Sequence, residues 1–287
     1  MEGSAVNHKF WRSFKKNRGA QFSLWFIVFL VLLSIFAPLI SPYGPAEIHD
    51  GALRLSPFWG GNFDSRFLLG TDDLGRDLLS RLIFGARVSL GVGLLVVLIS
   101  VVFGTLLGVL AGYFGGWWDI VIMRVVDMMM SLPSILLAIV VVAVLGPGLL
   151  NGIVAVSVVA LPGFIRIVRA AVMSEKQKLY VSAGTSFGAS HFRQAVLTIL
   201  PNCLAPIIVQ ATLGFSDGIL NVAALGFLGL GAQPPVPEWG TMLADARAFI
   251  ETSSYLVTLP GLCILVVVLC FNILGDGLRD AFDPKLN

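Results

Sequence analysis

Stretches without a single charged side chain recur along this chain, far longer than a strand or a surface helix needs, with short charged segments between them. No Asp, Glu, Lys or Arg lies between Arg18 and Glu47, Arg87 and Asp119, Asp127 and Arg166, Arg193 and Asp217, or Glu251 and Asp276. A helix needs about 20 mostly apolar residues to cross the hydrocarbon core, so the pattern predicts six spans. The first covers 22–40 and ends at Pro42 and the Gly44-Pro45 turn signal. The second lies within 88–118. The run after Asp127 is too long for one helix, and Gly146-Pro147-Gly148 divides it into spans at 120–145 and 149–172. The fifth covers 202–225 and the sixth 255–274.

Composition supports this pattern. Apolar residues make up 56% of the chain, charged residues 13%, and the mean hydropathy is +0.88, against roughly 25% charged in ordinary soluble domains. The class is therefore an all-α integral membrane protein with six transmembrane helices. A net charge of +2 with no basic stripe excludes a nucleic-acid partner. Cys203, Cys263 and Cys270 sit in apolar runs without CxxC spacing and read as packing residues. His8, His49 and His191 are far apart, so no metal site is expected. The basic start before the first apolar run imitates a secretory signal. That run is longer than a signal core and lacks a small-residue cleavage site, so a retained helix is expected.

Lys and Arg gather in the tail (Lys9, Arg12, Lys15, Lys16, Arg18) and between spans four and five (Arg166, Arg169, Lys176, Lys178, Arg193). By the positive-inside rule, both termini and the loop at about 173–200 face the cytoplasm. The predicted organisation is a cytoplasmic tail at 1–21, the first helix at 22–40, an external loop at 41–87, a five-helix core at 88–276 and a cytoplasmic tail at 277–287. Within the external loop, 72–87 reads as an amphipathic interfacial helix. In it Asp72–Arg76 and Asp77–Arg81 would form i,i+4 pairs.

Charges at membrane depth are costly and therefore informative. Asp127 follows Arg124 by one turn, which permits local pairing and leaves structural and pathway roles equally open. Asp217 has no adjacent cation, and Asn221 stands one turn beyond. Both are candidates for a polar translocation path, as is Asp127. Gly104, Gly108 and Gly112 share one helix face, where ordinary intrachain packing competes with a contact to another subunit. No Gly-Lys dipeptide is present, so a Walker A loop is excluded, and no nucleophile elbow occurs. The chain is not expected to be an enzyme or to hold a cofactor.

The segment Tyr180-Val-Ser-Ala-Gly-Thr-Ser-Phe-Gly188, continuing to Leu200-Pro201, suggests two short helices meeting at a bend. It resembles the EAA loop of bacterial ABC importer permeases. Ala183, Gly188, Leu200 and Pro201 match in register, whereas Ser182 replaces the pattern's Glu, Gly184 its Ala and Thr198 its Ile. Residues 69–81 with 85–90, residues 224–242, and the ending Gly275-Asp-Gly-Leu-Arg-Asp-Ala-Phe-Asp-Pro284 resemble the dipeptide, oligopeptide and nickel permeases, most of all the dipeptide permease C branch.

That resemblance implies a type I ABC importer core in a bacterial inner membrane. It implies a second homologous permease, two cytoplasmic ATPases carrying ATP and Mg2+, and an extracytoplasmic solute-binding protein. Ser182, Ala183, Gly184, Gly188, Leu200 and Pro201 would couple to the ATPase. Asp72, Arg76, Asp77, Glu238 and Trp239 would be candidates for contact with the binding protein or for an external gate. The solute remains open among dipeptides, longer peptides, haem, δ-aminolevulinate and nickel. The rival classes are an ion-coupled secondary transporter, which would work without an ATPase, and an intramembrane enzyme, which would need paired catalytic residues at membrane depth.

Overall fold

The computed structural model describes Trp11 and residues 13–282. The calls on His8, Lys9, Arg12 and residues 283–287 lie outside the described residues. Helix α1 (Arg18–Ile35) starts at Asn17, whose side chain accepts from Ala20 N at 3.0 Å, and a single-turn α2 (Ala37–Ile40) follows. An irregular cap leads to α3 (Leu78–Val109), which runs on through a wider turn to Phe114. Next come α4 (Gly116–Met130), α5 (Ser134–Leu145), α6 (Leu149–Lys176) and α7 (Leu179–Ser186). Two irregular turns join α7 to α8 (Leu204–Phe227), and α9 (Trp239–Ala246) and α10 (Tyr255–Phe282) complete the set.

Among the described residues, five helical stretches are long and apolar enough to span a membrane, and α4 with α5 forms a sixth if the bent pair counts as one span. Here the structure corrects the expected straight helix at 120–145: α4 and α5 meet at 98°. The break falls at residues 131–133, where Pro133 is extended (φ −56°, ψ 135°). The residue before a proline is driven out of the helical region, a signal the hydrophobic pattern alone conceals.

The expected interfacial helix at 72–87 is also corrected. Residues 72–77 are irregular, with an isolated bridge between Thr71 and Asp77, and Leu78 opens a continuous helix. Its 37 residues to Phe114 extend about 55 Å at 1.5 Å per residue, so its first turns project beyond a hydrocarbon core of about 30 Å. The last helix likewise runs to Phe282, beyond the expected core boundary at 276.

Helix α3 packs along α6, and the glycine stripe is the reason. A Cβ on Gly104 would stand 2.4 Å from Phe164 Cβ, one on Gly108 2.6 Å from Val168 Cβ, and one on Gly112 2.8 Å from the Arg169 carbonyl. Each four-residue step on α3 meets a similar step on α6, so the stripe serves packing within the chain. Ser100 Oγ spans the same seam, donating to Val96 O at 2.7 Å and Ser157 O at 3.2 Å. One apolar core joins α3, α8, α9 and α10, and a second joins α3, α5, α6 and α8. Helix α1 packs on α10 through Ala20, Ile27, Cys270 and Leu274.

Candidate functional site

The polar groups of α8 recur at Gln210, Asp217 and Asn221, spacings of seven and four that place them on one helix face. Together with Ser134 on α5 and Gly163 on α6 they line a cavity of about 330 Å³. Val156, Val159, Ala160 and Phe164 form its α6 wall, and Gly214 and Gly218 leave room on α8. Gln210 also lines a second cavity of about 410 Å³, bounded by Ile167, Ala205, Pro206, Val209, Leu213 and, on α10, Arg279 and Phe282. Gln210 borders both cavities, and from it a polar seam follows α8 to Asn221.

Asp217 is exposed to this space and has no ion pair among the described residues. Asn221 Nδ2 donates to the Asp217 backbone carbonyl at 2.8 Å, and both residues line the same cavity. The structure therefore brings Asp217 and Asn221 together. Asp127 stands apart from them, and its expected partner Arg124 is replaced by Arg166 of α6 at 2.6 Å. The same two helices are tied again by Asp119 and Arg169 at 2.5 and 2.7 Å. Gln210 and Ser134 were not singled out in the sequence; the seven-residue spacing to Asp217 was the signal for Gln210. Nothing local marked Ser134, which reaches the cavity only because the chain breaks at Pro133.

At the far end of the bundle, α7 and the turns at 193–203 form a projecting loop. Gly188 has φ +78° and no atom within 4 Å of where a Cβ would stand. The bend is thus set by backbone conformation and not by crowding. Gln194 is buried and joins the two arms, donating to Val181 O at 3.3 Å and Thr185 Oγ1 at 3.0 Å. Tyr113 Oη bonds His191 Nδ1 at 3.1 Å, and Lys176 Nζ donates to Tyr113 O at 2.5 Å, anchoring the loop to α3 and α6.

Tyr180 donates to Glu175, and burial with that bond pushes its phenol up to about 12. Ser182 and Ala183 are exposed on α7, with half-buried Gly184 packed against Gln194. Leu200 is half-buried and Pro201 exposed, opening the turn into α8. Phe187 is 91% exposed and Leu179 88%.

The cap over the opposite end is held by Asp72. Its Oδ1 accepts from Leu74 N and Arg76 N at 2.9 Å each, and its Oδ2 faces Arg76 Nε at 2.6 Å and Arg81 Nε at 3.4 Å. Asp77 does not pair with Arg81 as expected. It caps α3 instead, accepting from Ser80 N at 2.8 Å and Ser80 Oγ at 2.7 Å. Tyr255 Oη donates to Leu55 O at 2.8 Å and fastens the cap to α10.

Glu238 and Trp239 are buried at the start of α9. The Glu238 carboxylate accepts from Gly240 N and Thr241 N, each at 2.9 Å, and from Ser89 Oγ at 3.3 Å. Trp239 Nε1 donates to Leu82 O at 3.1 Å. Burial pushes the Glu238 carboxyl up against the pull of those donors. Asp72, Arg76, Asp77, Glu238 and Trp239 thus bond inward, positioning the cap and α9 against α3. No group of three or more metal-ligating side chains occurs among the described residues.

A bundle of membrane-length helices around a polar seam, with a structured cap at one end and a projecting loop at the other, defines a multi-span transport subunit. The chain belongs to the binding-protein-dependent transport system inner membrane components, whose family model matches residues 104–287. Residues 8–57 match the N-terminal transmembrane domain of oligopeptide transport permease C.

The chain is 52% identical to the dipeptide transport system permease protein DppC of Haemophilus influenzae, covering 97% of this chain and 94% of that one. It is 55% identical to the Escherichia coli K12 protein of the same name, over 97% and 93%. A glutathione transport system permease, GsiD of Escherichia coli O6:K15:H31, is 44% identical over 97% and 90%. The chain is accordingly an inner-membrane permease subunit of an ABC importer, working with a binding protein and with ATP hydrolysis on separate subunits.

Proposed function

We propose that this subunit carries dipeptides or closely related short peptides, forming half of the path beside a second homologous permease. The observation that carries this reading is the 52–55% identity to dipeptide permeases along almost the whole chain, combined with a polar seam along α8. Two ATPases bearing ATP and Mg2+ would engage the projecting loop at Ser182, Ala183, Gly184 and Gly188, with Leu200 and Pro201 joining it to α8. Leu179, Phe187, Phe192 and Leu197 are all exposed on this one loop, and several large apolar side chains gathered outside the spans support this docking. The tail, this loop and the C-terminus would face the cytoplasm, and the cap would receive the binding protein.

The test is uptake by vesicles containing the complete complex. Labelled dipeptide uptake should be competed by other dipeptides and not by haem, δ-aminolevulinate or nickel. Competition by one of the latter, with none by dipeptides, would overturn the assignment. Retention of uptake with a non-hydrolysable ATP analogue would favour an ion-coupled carrier instead.

A further inference from the structure

Among the described residues, Asp217 is the sole ionisable one lining the cavity between α5, α6 and α8. Asp127 and Asp119, which line neither cavity, are paired with Arg166 and Arg169. An uncompensated charge among apolar helices is expensive and persists where it meets a mobile counter-charge. The remaining polar groups are compatible with the same ligand. Asn221 spends an amide hydrogen on the Asp217 backbone carbonyl, and Asn221, Gln210 and Ser134, which can each donate as well as accept, bring neutral acceptor oxygens to the lining. Among the described residues no Lys or Arg lines this cavity, and Arg279 borders only the adjoining one, which shares Gln210.

We infer that Asp217 is a specificity-determining residue that receives the α-ammonium of the solute during its passage, with Asn221, Gln210 and Ser134 as neutral acceptors around it. This rests on the peptide reading above and adds a polarity to it. A free amino terminus is the group the cavity recognises, so the subunit selects a second time after the binding protein has released its load. An ammonium leaves water at a cost, and a preorganised carboxylate with neutral acceptors replaces that hydration with charge-assisted bonds.

The test uses the purified complete complex without ATP, with the three native cysteines replaced by serine and Asn221→Cys introduced. A cationic methanethiosulfonate should label this cysteine about tenfold faster than an anionic one of similar size, because a charged cleft focuses counter-ions. Adding Asp217→Asn should bring the ratio near one. A dipeptide with a free amino terminus should slow the cationic reagent, and its N-acetylated form should not.

In vesicles, Asp217→Asn should lower the maximal rate of dipeptide uptake at least about tenfold, on the scale of a lost charge-assisted contact. The half-saturating concentration, set by the binding protein, should be unchanged. Asp217→Glu should restore much of the rate, and the melting temperature of the complex should be unaltered. A labelling ratio near one in the Asp217 protein would show the carboxylate masked by a cation of the second permease and would overturn the inference. So would full uptake by Asp217→Asn. Failure of the peptide reading looks different: the Asp217 protein itself would take up no dipeptide, whatever the labelling ratio.

Discussion

Two residues show how differently a single side chain can matter here. Asp72 gathers two backbone amides and two guanidinium groups in a site from which water is nearly excluded. Removing one partner of a buried ion pair costs about 3–5 kcal/mol because the other charges remain unpaired. Asp72→Ala should therefore lower the melting temperature and the yield of the complex, as thermal unfolding of the purified assembly would report, and Asp72→Asn should do so less.

Gly188 has open space where a Cβ would stand, and beside its N–H donating to Thr185 O at 2.9 Å it contributes its positive φ. Gly188→Val should impose about 1–2 kcal/mol of backbone strain on the bend while leaving the spans untouched. Insertion should be normal, yet solute-stimulated ATP hydrolysis and uptake should fall together, with ATPase recovery on affinity purification measured alongside. Gly188→Asn, which tolerates the left-handed region, should retain both. Wild-type hydrolysis and transport in the valine variant would remove the physical reason for treating this bend as the coupling element.

Between elements, contact is controlled by what is missing from α3. Gly108 faces Val168 with no space for a Cβ, whereas Gly91 on the same helix has nothing within 4 Å. Gly108→Ile should push α3 from α6, a strain beyond the 1–3 kcal/mol typical of about one or two added methylenes. The expected result is loss of folded subunit in membranes by limited proteolysis, while Gly91→Ile accumulates normally. The α4–α5 break follows the opposite logic. Pro133 removes helix where an apolar run would have continued it, and the bend delivers Ser134 to the cavity. Ion pairs Asp127–Arg166 and Asp119–Arg169 then hold α4 on α6, which gives the bent pair a fixed position at one end.

For the whole molecule, the asymmetry of Lys and Arg sets an orientation that labelling can check. Single cysteines at 51 and 252, in the cap and the α9–α10 connection, should react with an impermeant reagent in intact spheroplasts, and one at 188 should not. Reaction at 188 alone would invert the subunit. The cap and the projecting loop lie at opposite ends of the bundle, joined by α3, which begins beneath Asp72 and ends at Tyr113 beside His191. That helix offers a direct mechanical connection between the face that would meet the binding protein and the face that would meet the ATPases.

The membrane class and the apolar stretches were legible in the chain alone, because apolar length and charge exclusion by a bilayer are local properties, whereas the break that bends α4 against α5 was not. The sequence also singled out Asp217, Asn221 and Gly188, since an intramembrane carboxylate and a glycine at a bend are conspicuous without any partner in view. Side-chain partners followed from packing between distant segments. Arg166, not Arg124, meets Asp127, and Asp77 caps a helix while Arg81 turns to Asp72. Glu238 and Trp239, hydrophilic and amphipathic in a loop, close into the interior against Ser89 and Leu82. Such choices depend on which helix faces which and at what register, and those are set by packing between residues far apart in the chain, where no local pattern carries the information.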